Sequence, residues 1–89
     1  MSYILDFTEQ AEQDFRLHKK NGNKIVLKKI TKLLAEISIE PYFGTGKPEA
    51  LKHNLSGKWS RRINLEHRII YEVFDDTIVI YSVFGHYEK

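Results

Sequence analysis

The sequence predicts an α+β fold in the order β-α-α-β-β-β, a mostly antiparallel sheet with two N-terminal helices packed on one face. Three observations predict it. Two helix-period patterns follow one another in the first half of the chain. Three strand patterns separated by short turn signals fill the second half. Helices and most strands are therefore segregated along the chain, which favours α+β over a wound parallel sheet.

Taken in order, Ser2 to Phe7 is a short apolar run and reads as the opening strand. Thr8 can cap a following helix, with Glu9 and Glu12 near its positive end. Ala11, Phe15 and His18 fall at helical spacing, and Asn21-Gly22 is a natural stop. A second helix begins near Asn23. Val26, Ile30, Leu33, Leu34 and Ile37 recur at i, i+4, i+7, i+8 and i+11 and mark its buried stripe. Lys24, Lys28 and Lys32 lie on its other side, and Pro41 stops it. Tyr42 to Pro48 contains Gly44, Gly46 and Pro48 and reads as loop. Ala50 to Gly57 carries no decisive pattern.

Lys58 to Asn64 and Arg68 to Phe74 are then strands. Asp75-Asp76 makes a turn, and Thr77 to Phe84, rich in β-branched residues and tyrosine, is the last strand. A three-residue loop, Asn64-Leu65-Glu66, would pair Arg62 with Arg68 on one face. A slip of one residue would separate them.

Composition bounds the function. The 89 residues are 42% hydrophobic and 29% charged, as expected of one ordinary globular domain over residues 1–89 with a modest core. Cysteine is absent, which excludes disulfides, thiolate zinc sites and cysteine catalysis. The opening MSYILDF is interrupted by Asp6 and has no basic start, so it does not read as a signal peptide. No apolar run approaches transmembrane length. A cytoplasmic protein without a membrane partner is expected.

The net charge is only +2, yet the charge is unevenly placed. Gly46 to Arg68 holds Lys47, Lys52, Lys58, Arg61, Arg62 and Arg68 against two acids, Glu49 and Glu66. Such a cluster suggests a polyanionic partner. Tyr42, Phe43, Trp59, Tyr71 and Tyr87 are aromatic rings on which bases of a single strand could stack. The plainer alternative is a solvated charged surface with Trp59 in the core.

The histidines, His18, His53, His67 and His86, show no H-x-x-x-H or H-x-H spacing, so no metal site is expected. His18 reads as an ordinary surface or boundary residue. His53 and His67 could each be structural or belong to a site. His86, at the end of the last strand, could present its ring at a cleft edge and transfer protons. Glu49 is the only acid between Glu40 and Glu66; it could accept a proton or simply balance charge. Gly44 and Gly46 form no phosphate loop, and nothing around Ser56 or Ser60 suggests a nucleophile. Together, glutamate, arginine, lysine and histidine suffice for metal-free RNA cleavage. A base takes the 2′-hydroxyl proton, cations stabilise the phosphorane, and an acid protonates the leaving 5′-oxygen. Composition alone does not select this reaction over plain binding.

The ordered string is more specific. GKPEALKHNLSGKWSRRI, then EHRIIYEV, then DD and a final HY, closely resemble the YoeB/Txe toxins of bacterial toxin–antitoxin systems, within the RelE-like group. IVLKKITKLL and the element order fit as well, so the likeness covers almost the whole chain. The resemblance implies a ribosome-dependent mRNA endonuclease acting in the decoding site without metal or other cofactor. It implies Glu49 as general base, Arg68 as stabiliser of charge at the phosphate and His86 as general acid. Lys52 and Arg62 would contact phosphate, and Tyr87 would orient the substrate or stack on a base. Trp59 and Ile63 also match family positions and read as core.

Two features depart from the family pattern: Glu88-Lys89 follow the His-Tyr pair, and Phe84-Gly85 precede it where a basic or polar residue is common. The resemblance also implies partners. These are a YefM/Phd-like antitoxin with an acidic tail that covers the groove, the ribosome with its mRNA, and operator DNA only through the toxin–antitoxin complex. Relatives form homodimers as well. Alternatives on the same fold are a ParE-like gyrase inhibitor, which would not need the K-P-E and terminal H-Y residues, and a plain RNA-binding module.

Overall fold

The structure is a computed structural model that describes residues 2–85. It comprises β1 (Ile4–Phe7), α1 (Glu9–Lys20), α2 (Lys24–Ile39), β2 (Glu49–Ala50), β3 (Lys58–Arg62), β4 (Arg68–Phe74) and β5 (Thr77–Ser82). The sheet order is β1-β5-β4-β3-β2. Every neighbouring pair is antiparallel except β1, which lies parallel to β5. Among the described residues no helix is long and apolar enough to cross a membrane.

Local chemistry sets both helices. The Thr8 hydroxyl accepts the N–H of Ala11 at 3.1 Å, satisfying one orphan donor of α1. Asn23 does the same for α2, accepting from Val26 at 3.2 Å. Between them Gly22 turns the chain in the left-handed region, φ 68°. The apolar stripe of α2 is buried as its spacing demands, with Ile30, Leu33 and Ile37 wholly inaccessible. Each such side chain contributes about 1.5–3 kcal/mol by leaving water. Truncating Ile30 to alanine would cost about 2–5 kcal/mol.

Strand alternation divides the sheet into two faces. Leu5, Ile78 and Val73 form one row across the strands and Phe7, Ile80 and Tyr71 the next, and with Ile69 they join the helices in one core. Trp59 lies opposite Tyr71, and Arg61 opposite Ile69, on this same face. The other face, free of helices, carries Lys58, Ser60 and Arg62 of β3 with Glu72, Ile70 and Arg68 of β4.

Four expectations are corrected. The opening strand is shorter than Ser2 to Phe7. A two-residue strand, β2, lies at the edge of the sheet where none was expected; two residues are too few to show a period. The strand starting at Lys58 ends at Arg62, because the hairpin loop begins there: His67 donates its N–H to Asn64 Oδ1 at 2.8 Å. The last strand ends at Ser82 rather than Phe84, because Val83 leaves the ladder for side chains of α1. Its N–H donates to Asp14 Oδ2 at 3.0 Å, and its carbonyl accepts from His18 Nε2 at 2.9 Å.

Candidate active site

Glu49, Arg62 and Arg68 meet on the helix-free face through strand register. Glu49 on β2 is directly opposite Ser60 on β3, and Arg62 is directly opposite Arg68 on β4. Directly opposed residues share a face. Ser60 is fully buried between these positions. Arg68 donates from Nη1 to the Ser60 hydroxyl at 3.4 Å, which draws its guanidinium toward the row that holds Glu49. Like charges directly opposed across a ladder repel, and an anion bound between two guanidinium groups relieves that repulsion. The expected register of this pair is the observed one.

The loop that delivers Glu49 is held from the other face. Arg61 belongs to the basic cluster of the sequence, yet it does not face solvent with the other cations; it is completely buried. Its guanidinium donates to Glu36 Oε1 at 3.2 Å, to the Thr45 carbonyl at 3.2 Å, to the Phe43 carbonyl at 2.7 Å and to the Glu40 carbonyl. Its Nε reaches the Tyr71 hydroxyl at 3.3 Å. These bonds tie the segment between α2 and Lys47 to the sheet. Glu36 in turn accepts the Thr45 N–H at 3.0 Å. That bond, with Arg61 beside it, holds the Glu36 carboxyl below its ordinary value against the opposing effect of burial. Tyr71 is raised, chiefly by burial, so its phenol stays protonated and donates to the Pro41 carbonyl.

Gly44 and Gly46 are required where they stand. Both have positive φ, and a Cβ at Gly44 would lie 2.8 Å from Glu36 Oε1 and 2.9 Å from Arg61 Nη1. A Cβ at Gly46 would lie 2.8 Å from the Arg62 carbonyl, so only glycine lets this loop approach β3. Lys47, the next residue, sits in the left-handed region at φ 51°.

Other positions separate clearly. Lys52 is exposed just before a single 3-10 turn, His53–Leu55, beyond the end of β2. His53 is exposed at φ 59°. Lys29 of α2 joins Lys47 and Arg62 around an open cleft that also touches Asn64 and Leu65, with no acid among the described residues that line it. On the helix-free face, Tyr81 donates to Glu72 Oε1 at 2.8 Å, and Lys58 Nζ lies 4.6 Å from its ring centre. Of the aromatic residues considered for stacking, Tyr71 is buried and Trp59 packs on the core, so neither is available; Tyr42 and Phe43 are exposed. Among the described residues no cluster of histidine and carboxylate could hold a metal ion.

His86 and Tyr87 lie outside the described residues. The backbone leading to them is held from both sides. Besides the two bonds to Val83, the Gly85 N–H donates to His67 Nδ1 at 2.9 Å, and the Gly85 carbonyl accepts the Arg68 N–H at 3.0 Å. The rings of His18, His67 and Phe84 pack edge to face and tilted, with centroids 4.5–4.9 Å apart. His18 is thus a buried anchor, correcting its reading as an ordinary surface or boundary residue. Asp14 is a further anchor that the sequence does not reveal. It falls four residues before His18, but a lone acid on a helix face gives no sign of a partner at Val83.

Known proteins share this architecture and its sequence. Residues 7–87 match the family described as YoeB-like toxin of bacterial type II toxin-antitoxin system. A Toxin YoeB from Synechocystis is 46% identical over 93% of the chain and 95% of the relative. The YoeB dimer from Staphylococcus aureus superposes with a TM-score of 0.86 at 43% identity, over 98% of this chain and 100% of the other. The toxin of a heterotetrameric YoeB-YefM toxin-antitoxin complex from the same organism gives 0.83 at 43% identity, with the same coverage of each chain.

Proposed function

The chain belongs to the YoeB-like toxins of bacterial type II toxin–antitoxin systems, and from that premise we propose that it cuts translated mRNA in the ribosomal decoding site. The observation that carries this reading is the face shared by Glu49, Arg62 and Arg68, with two arginines opposed across a ladder. Glu49 takes the proton of the 2′-hydroxyl. The 2′-oxygen attacks phosphorus, and the bond from phosphorus to the 5′-oxygen breaks. Arg68 and Arg62 stabilise the charge on the non-bridging oxygens, with Lys52 at the rim. His86 gives its proton to the leaving 5′-oxygen, and Tyr87 orients the nucleotide. The products are a 2′,3′-cyclic phosphate and a 5′-hydroxyl.

The cleft of Lys29, Lys47 and Arg62, in which no described lining residue is acidic, supports contact with further backbone phosphates. The partner in the cell is a YefM-like antitoxin, whose acidic segment folds onto the same basic surface. The complex, rather than the toxin alone, binds operator DNA, and the toxin also forms a homodimer. The experiment adds purified protein to translating ribosomes and maps the mRNA ends. Cleavage at a codon-defined position, abolished by a 2′-deoxy nucleotide 5′ of the scissile phosphate, is expected. Intact messages, or arrest of DNA replication with translation untouched, would overturn it in favour of a gyrase inhibitor.

A further inference from the structure

Asp14, His18 and His67 are buried ionisable residues that take no part in the cleavage chemistry above. All three converge on the backbone of Val83 and Gly85. Asp14 and His18, one helical turn apart on α1, hold the N–H and carbonyl of Val83. Gln10 fixes the Asp14 carboxylate from behind, donating to Oδ1 at 2.8 Å. His67 and the Arg68 backbone hold the N–H and carbonyl of Gly85. The Gly85 carbonyl belongs to the planar peptide that joins Gly85 to His86. Gly85 itself is in the left-handed region, φ 76°, and a Cβ added there would meet nothing within 4 Å, so the backbone shape rather than space selects glycine.

We propose that His67 is a positioning residue for His86, acting through the Gly85 peptide. The proposal rests on His86 being the general acid. To accept from Gly85, the His67 ring must be unprotonated at Nδ1. Its chain neighbour Arg68 donates to the other side of Gly85 and is itself the proposed phosphate ligand. The backbone that opens β4 therefore ties the phosphate-binding position to the backbone entering the acid. A side chain of similar size without an acceptor would still fill the space against His18 and Phe84. It would leave the Gly85 N–H unpaired and the following peptide free to turn.

The test measures cutting by translating ribosomes for wild type, His67→Leu, His67→Asn and His86→Gln. Two mRNAs are used, one ordinary and one with a sulfur replacing the scissile 5′-oxygen, a leaving group that needs no acid. His67→Leu should lose about 10²-fold in maximal rate on the ordinary message, the scale of a small misplacement of a reacting group. The ribosome concentration giving half-maximal rate should not move. The sulfur substrate should restore His67→Leu, as it restores His86→Gln. His67→Asn, whose Oδ1 can replace Nδ1 as acceptor, should keep most of the wild-type rate. Equal loss in His67→Asn and His67→Leu, or a loss that the sulfur substrate leaves in place, would make His67 a packing residue and overturn the proposal. If His86→Gln is inactive while His67→Leu cuts normally, positioning alone fails. If His86→Gln cuts normally, the acid assignment fails and this proposal with it. Melting curves establish that each variant folds, and His67→Ala replaces His67→Leu if the leucine variant does not.

Discussion

Arg61 and Arg62 are adjacent in β3 and face opposite ways, and they divide the molecule into a region that holds shape and a region proposed to meet substrate. Arg61 is buried, and its donors are taken up by Glu36, Tyr71 and the carbonyls of the loop before Lys47. Arg62 faces its own kind, Arg68, across the ladder and borders a cleft whose described lining holds no acid. One arginine is fully engaged inside the fold. The other stands in a like-charge pair that a bound phosphate would stabilise. Identical chemistry thus becomes scaffold or proposed site by the period of a β-strand.

Damage at the two positions should be unequal. Arg61→Met should destabilise the protein by about 3–5 kcal/mol in urea melts, since it leaves buried carbonyls and a carboxylate without their partner. Arg61→Lys should recover little, because a point charge cannot serve the whole fork. Gly44→Ala should cost about 1–3 kcal/mol by driving a methyl into the Glu36–Arg61 pair. Arg62→Gln should do the reverse, leaving stability unchanged or raising it by about 0.2–1 kcal/mol while cleavage falls. An Arg62 variant that melts as early as an Arg61 variant would erase the distinction.

The smallest effect is a pH dependence. The Glu36 carboxyl titrates below its ordinary value because Thr45 and Arg61 favour its charged form. A depressed carboxylate contributes stability above its unfolded value and loses it as pH falls toward the folded one. The melting temperature should therefore drop on acidification through the carboxylate range, and Glu36→Gln should flatten that drop.

Much of this division is legible in the chain. The stripe of α2 is a plain helical period, and all five of its residues are buried. The Asn64-Leu65-Glu66 loop implies the Arg62–Arg68 register because a hairpin's loop length sets its pairing. Arg61 is legible too: Trp59, which reads as core, lies two residues before it and so on the same face. The density of charge around Arg61 conceals that signal. β2 and the anchors Asp14 and His18 are not legible. A two-residue strand has no period, and a polar side chain whose partner lies 65 or more residues away looks like surface until the sheet is built.

If the helix-free face of β2, β3 and β4 performs chemistry and not only binding, Glu49 is where the difference is largest. The most direct measurement compares wild type with Glu49→Gln in single-turnover cutting of mRNA on translating ribosomes, with melting temperatures alongside. A proton acceptor should be worth about 10²–10⁴-fold in rate. A loss of that size is expected at an unchanged melting temperature, with ribosome binding retained. Glu49→Gln cutting at the wild-type rate would contradict a catalytic role for this face.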